Sequence, residues 1–168
     1  TQGGLDAPRP WDRAALNNLA NRNKIGITLN IRHPEGMRLF QDLVSISDVF
    51  TESMTAGTAA RLRVSYEDLK VIRPDIIVLS TSGWGTLGPY QGYAALGAAL
   101  DGFSGHHALR GYPDSDPTMT TLVQHTDSSA ALMGAFAILA ALNYKRTNGI
   151  GQWIDLSQSE TFLPHQRS

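Results

Sequence analysis

Residues 128–144, SSAALMGAFAILAALNY, carry no charge and no proline. Apolar residues are dense enough there to make the stretch helical and largely buried, so the chain must supply other layers to cover it. One carboxylate, Asp127, stands at its mouth. Thr126 or Asp127 is the natural N-cap, because a side-chain oxygen at that place accepts otherwise unpaired backbone N–H groups. The positive end of the helix dipole would favour the ionised carboxylate and leave it available as a nucleophile or base. On the local sequence alone capping is the commoner role for an aspartate at this position, and the rest of the chain has to decide between the two.

The preceding chain supplies the covering layers. NRNKIGITLNI (21–31) puts Arg22 and Lys24 directly before an alternating run, Ile25, Ile27, Leu29 and Ile31, that reads as a strand with cations at its entrance. His33-Pro34-Glu35 opens a helix with proline in its first turn, and Met37, Phe40, Leu43 and Val44 share one face. DVFTES (48–53) reads as a strand, Thr55-Ala56-Gly57-Thr58 opens a short helical stretch through Arg61, and Ser65 with Asp68 reads as a capping box. DIIVLST (75–81) is a continuous apolar, β-branched run of the kind buried in a parallel sheet. Residues 92–105 form a small-residue helix that lets another backbone come close, and 111–118 a surface loop. Lys145 and Arg146 complement the C-terminal dipole of the long helix before a last strand, QWIDLS (152–157), and the start of a further helix. Strands alternating with helices predict an α/β fold, a Rossmann-like open parallel sheet with flanking helices.

In such a sheet ligands bind at the carboxyl edge. SGWGTLGPY (82–90), at the end of the buried strand, is turn-rich and carries Trp84 and Tyr90, but it contains neither a G-x-G-x-x-G fingerprint nor a P-loop. His106 and His107 are adjacent and point apart, so no metal site is expected. With a net charge of −1 and its 14 basic residues spread out, the chain has no face for nucleic acid. Its longest apolar run, about thirteen residues, is too short to span a bilayer. The absence of cysteine excludes thiolate chemistry, and a cytoplasmic setting is expected.

Five motifs in order resemble the class III coenzyme A transferases, the family that includes formyl-CoA and carnitine-CoA transferases, from about Asn21 to Glu160. They are NRNKIGITLN, ESMTAGTAARLRVSYEDL, IRPDIIVLSTSGWGTLGPY, TDSSAALMGAFAILAAL and YKRTNGIGQWIDLSQSE. The resemblance implies a homodimeric, interlocked enzyme that moves coenzyme A from an acyl-CoA to a carboxylic acid, with acyl-CoA as substrate and no permanent cofactor. It implies that Asp127 attacks the thioester to form a mixed anhydride, which coenzyme A converts to an enzyme–CoA thioester. Arg22, Lys24, Ser53, Met54 and Arg61 are then expected to contact coenzyme A, and Ser82, Gly83, Trp84, Gly85 and Tyr90 the substrate. One departure concerns the family's N-F-R-P-G segment, where this chain has Ser53-Met54-Thr55-Ala56-Gly57; the arginine near the phosphates is missing, and Arg61 or Arg63 is the candidate to replace it.

The abrupt start and the stop inside SQSETFLPH suggest a segment of a longer subunit, with an irregular stretch over 1–20 and an incomplete large domain over 21–168. Two alternatives stay open. An α-methylacyl-CoA racemase would pair the same aspartate with a histidine, but none lies within 92–105 and His106 comes late. A non-catalytic CoA-binding or dimerisation module would account for the missing arginine.

Overall fold

The computed structural model describes residues 14–114, 116–119 and 124–166. Most of the stretch 1–20 and part of the 111–118 loop lie outside the described residues. The chain divides into two units, 1–30 and 31–168, each described by itself.

In the first unit, Ala15–Ala20 form helix α1, within the stretch expected to be irregular. Lys24 turns back onto it, Nζ donating to the carbonyl of Ala20 (2.8 Å) and to Oδ1 of Asn21 (3.3 Å). A cation on the last carbonyls of a helix satisfies groups the helix leaves unpaired. Residues 24–30 are not a strand. Ile25 and Ile27 are 93% and 66% exposed, so the alternating pattern is present without the neighbouring strand a ladder requires.

The second unit is built on three parallel strands in the order β1 (Val49–Glu52), β2 (Ile77–Ser82), β3 (Trp153–Ser157). Val49 pairs with Ile77 and Val78 with Trp153. The central strand is buried from Ile77 to Ser80, as its continuous apolar run predicts. Helix α2 (Pro34–Ile46) precedes β1; His33 caps it, Nδ1 accepting the N–H of Glu35, and Pro34 opens it. Helices α3 (Thr58–Arg61) and α4 (Tyr66–Ile72) cross from β1 to β2, and the capping box of Ser65 with Asp68 is present. Val44, Leu69, Ile76 and Val78, with Phe40 and Phe50 against them, fill the core on one face of the sheet.

The other face is covered by α7 (His125–Asn148), reached through α5 (Gly97–Phe103) and α6 (His106–Leu109). Leu79, Leu156 and Ala130 form the core there. Gly134 lies close against Leu79: a Cβ would stand 3.0 Å from the Leu79 methyl, which would have to give way by a few tenths of an ångström. At its C-terminal end, Lys145 pairs with Asp48 (3.1 Å) and Asp75 (2.9 Å), the residues that lead into β1 and β2. At its N-terminal end, Ser129 donates to the carbonyl of Thr161 in α8 (Gln158–Phe162), which follows β3 directly. The helix thus runs against the strand direction, as a crossover helix must, and brings its N-terminus to the carboxyl edge of the sheet.

The long helix is less buried than its sequence predicts. Ala130, Gly134 and Ala141 face the sheet, while Leu132, Met133, Phe136 and Leu139 are exposed. By length and composition α7 would suffice to cross a membrane, because its small polar residues extend the uncharged run beyond the thirteen apolar positions. Here it lies along the sheet, clamped at both ends by the polar contacts above.

Candidate active site

The first turn of α7 departs from the sequence expectation. Neither Thr126 nor Asp127 is the N-cap; Gln124 takes that position and offers no side-chain cap. The unpaired N–H groups of His125 and Thr126 instead donate to the carboxylate of Asp101 in α5, at 3.1 and 3.0 Å. Asp101 is fully buried, as is Thr126, whose hydroxyl donates to the carbonyl of Gly97 (3.2 Å). A carboxylate from a neighbouring helix thus does what a local cap would do. Burial alone would raise the Asp101 carboxyl, but the N–H bonds from Thr126 and His125 together hold it below the ordinary carboxylate range.

Asp127 is thereby released from capping. Its side chain is half-buried and accepts no hydrogen bond from any described residue. Burial, and then the negative charge of Asp101, push its carboxyl above the usual value, the reverse of what the dipole argument led us to expect. The carboxylate rests over Gly97, where an added Cβ would lie 2.7 Å from its Cγ and closer still to Oδ2. Only glycine leaves this space.

Beside it, α6 folds back so that the His106 and His125 rings meet edge to face at 4.4 Å, with Phe162 against His106 at 4.8 Å. Burial, and then the neighbouring His125, hold His106 below its ordinary value. The histidine judged late in sequence is therefore carried back to the mouth of α7.

The other expected residues fall into separate places. Met54 and Ser82 line a cavity of about 210 Å³ at the carboxyl ends of β1 and β2, with Tyr66, Thr86 and Trp153. Ser53 is exposed beside it, and the N–H of Met54 donates to Glu52 (2.7 Å). Trp84 and Tyr90 line a second, of about 300 Å³, where Trp84 packs edge to face on Phe103 at 4.5 Å and Tyr90 stands 5.4 Å from Trp84. Gly83 and Gly85 shape the turn between them: a Cβ on Gly83 would collide with Ala95, and Gly85 is left-handed at φ 77°. The hydroxyls of Thr81 and Ser82 and Nε1 of Trp84 are buried without a hydrogen-bond partner among the described residues. Unpaired buried donors at a sheet edge are groups that a ligand can satisfy.

Arg61 lines a third cavity, of about 730 Å³, with Arg32, His33 and Arg63. Its Nη2 donates to the Thr58 hydroxyl at 2.7 Å. Arg63 holds a left-handed backbone at φ 58°, an uncommon conformation for an arginine. Asp127 lines none of these three cavities. Arg22 and Lys24 belong to the first unit, where Lys24 is engaged with α1.

Sequence reasoning missed Asp101, Gly97 and the pairing of His106 with His125. Asp101 left one signal: it is the single charge in the otherwise uncharged stretch 92–105.

Comparison with known proteins identifies the family. The description CoA-transferase family III matches residues 4–168. The β subunit of succinyl-CoA–L-malate CoA-transferase from Chloroflexus aurantiacus is 34% identical over 144 residues, covering 84% of this chain and 35% of that protein. Succinyl-CoA:glutarate CoA-transferase from Mus musculus is 33% identical over 159 residues, covering 91% of this chain and 36% of the relative. Among solved structures, a CAIB/BAIF family protein from Brucella suis superposes with a TM-score of 0.80 at 33% identity, over 86% of this chain and 38% of the other. The chain thus spans about a third of the length of these relatives. With its five motifs in order, its parallel sheet and a match over nearly its whole length, the chain belongs to CoA-transferase family III.

Proposed function

We propose that the protein transfers coenzyme A from an acyl-CoA to a carboxylic acid, with Asp127 as the nucleophile. The observation that carries this is a half-buried carboxylate at the carboxyl edge of the sheet with no hydrogen bond from any described residue, facing a glycine and repelled by Asp101. Ionised Asp127 attacks the thioester carbonyl; the acyl–oxygen bond forms as the carbon–sulfur bond breaks, and coenzyme A leaves as thiolate. The thiolate then attacks the aspartyl carbonyl of the anhydride and expels the donor carboxylate, leaving an enzyme–CoA thioester. An acceptor carboxylate reverses the two steps, and Asp127 is regenerated. Desolvation and the Asp101 charge both raise the energy of the free carboxylate, and both penalties vanish once its oxygen is acylated, which favours attack.

The coenzyme A phosphates are assigned to Arg61, with Arg63 and Arg32 lining the same cavity. Ser53, Met54, Arg22 and Lys24 remain in the CoA reading on the family resemblance. The cavity of Trp84 and Tyr90 is assigned to the acyl and acceptor groups, and Ser82, Gly83 and Gly85 remain in the substrate reading on the family resemblance. The working unit is proposed to be a homodimer in the cytoplasm, in keeping with the apolar strip of Leu132, Met133, Phe136 and Leu139 on α7. The test is CoA exchange between acyl-CoA and free acid in the full-length protein: Asp127→Asn should abolish it with the fold retained.

A second reading, proton exchange at the α-carbon of an acyl-CoA, is favoured by one observation, the return of His106 to the mouth of α7. It predicts deuterium uptake at the α-carbon without an acceptor acid, which transfer does not.

A further inference from the structure

Three side chains at the mouth of α7 bring one donor atom each close together. Asp101 Oδ2 lies 3.7 Å from Nδ1 of His125 and 3.9 Å from Nδ1 of His106, and one potential ligand atom from each of the three residues lies within 4.8 Å of those of the other two. The carboxylate is wholly buried, and the side chains of His106 and His125 are 14% and 40% exposed. Both Nδ1 atoms are buried without a hydrogen-bond partner among the described residues. The distances to Oδ2 are too long for hydrogen bonds, so two ring nitrogens are held against an oxygen that neither reaches. Such atoms cost free energy unless something sits between them.

We infer that Asp101, His106 and His125 form a binding site for a divalent cation of the zinc class. Two imidazoles and one carboxylate are the donor set that a borderline ion such as Zn²⁺ takes with one position left for water. Tetrahedral bonds of about 2.0–2.2 Å place ligand atoms roughly 3.3–3.5 Å apart, so rotations of the two rings by about 1 Å close the triangle. Oδ2 keeps a lone pair for the ion while accepting the His125 N–H at 3.1 Å, and Oδ1 is bound to the Thr126 N–H at 3.0 Å. Those bonds fix the carboxylate as outer partners fix metal ligands elsewhere. Phe162 packs on the His106 ring and limits its movement. The site does not depend on which reaction the protein catalyses, and its test reads the metal.

The full-length protein, stripped with a chelator, is titrated with Co²⁺ and then Zn²⁺. One Co²⁺ per chain is expected, with the strong visible bands of four- or five-coordinate cobalt, and Zn²⁺ should displace it. His106→Gln and His125→Gln should each weaken binding at least tenfold, while His107→Gln, adjacent in sequence but outside the cluster, should not. Should either variant unfold, proton NMR of the wild type decides: Co²⁺ should shift the ring resonances of two histidines. No saturable binding, a weak six-coordinate spectrum, shifts on other histidines, or affinity unchanged in both cluster variants would overturn the assignment.

Discussion

The carboxylate of Asp127 lies directly over the α-carbon of Gly97, so that the first residue of α5 and the third residue of α7 share a space that admits one side chain only. Gly97→Ala should therefore push the carboxylate aside. A displacement of about 1 Å can cost on the order of 100-fold in rate, whereas overpacking of this kind costs about 1–3 kcal/mol of stability. The expected outcome is a fall in kcat of about that size with a cooperative melt retained; a kcat close to wild type would show that the contact does not position the nucleophile.

Asp101 connects the first turn of α7 to Asp127, the proposed nucleophile. In Asp101→Ala the N–H groups of His125 and Thr126 lose their acceptor, at a cost of about 2 kcal/mol. The same change removes the negative charge that helps raise Asp127. Because the nucleophile must be ionised, the acid limb of the rate profile follows the Asp127 value and should move to lower pH in the variant. A profile that stays in place would mean that Asp101 does not act on Asp127.

The substitution Asp127→Asn separates capping from chemistry through stability alone. The folded value of Asp127 lies above its unfolded value of about 4. Ionisation of this group therefore favours the unfolded chain, and the penalty grows as pH rises from below 4 through the raised folded value. Asp127→Asn removes it, so the variant should equal or exceed the wild type in stability at pH 7, with the difference shrinking as pH falls to about 3. Urea unfolding across that range checks the sign. A variant about 1 kcal/mol less stable at every pH would restore Asp127 as the cap.

What could be read from the sequence was what neighbours along the chain determine. The buried strand Ile77–Ser82, the capping box of Ser65 and Asp68 and the proline-led start of α2 all rest on residues within a few positions of one another, and each is present. The cap of α7 was misassigned because it comes from Asp101, 24 positions before His125, and helix propensity carries no trace of such a partner. The alternation of Ile25, Ile27 and Leu29 was misread for a related reason: period two describes a strand only when another strand is alongside. The chain's outer apolar positions on α7 resemble core positions in sequence, and only the packing distinguishes Ala130 and Gly134 from Leu132 and Phe136.

The cluster of Arg32, Arg61 and Arg63 gives the coenzyme A assignment its own check. A hydrogen bond to a charged group contributes about 1.5–3 kcal/mol, so Arg61→Ala should weaken CoA binding by about tenfold or more, and Arg63→Ala similarly. Lys24→Ala, measured beside them, decides whether that lysine belongs to the phosphate contacts or only to the end of α1. Calorimetric titration with CoA and with dephospho-CoA would place any loss on the ribose phosphate or the diphosphate.

The most direct test of Asp127 as a covalent nucleophile is interception of its intermediates. The full-length protein, incubated with acyl-CoA and then hydroxylamine, should yield an aspartyl hydroxamate on the peptide that contains Asp127, with transferase activity lost in proportion. That product arises only if the aspartyl carbonyl has been activated as an anhydride or thioester. Mass spectrometry showing the hydroxamate at Asp127, and none in Asp127→Asn, is the expected result. An unmodified Asp127 peptide in an enzyme that turns over, or substantial turnover by Asp127→Asn, would contradict it.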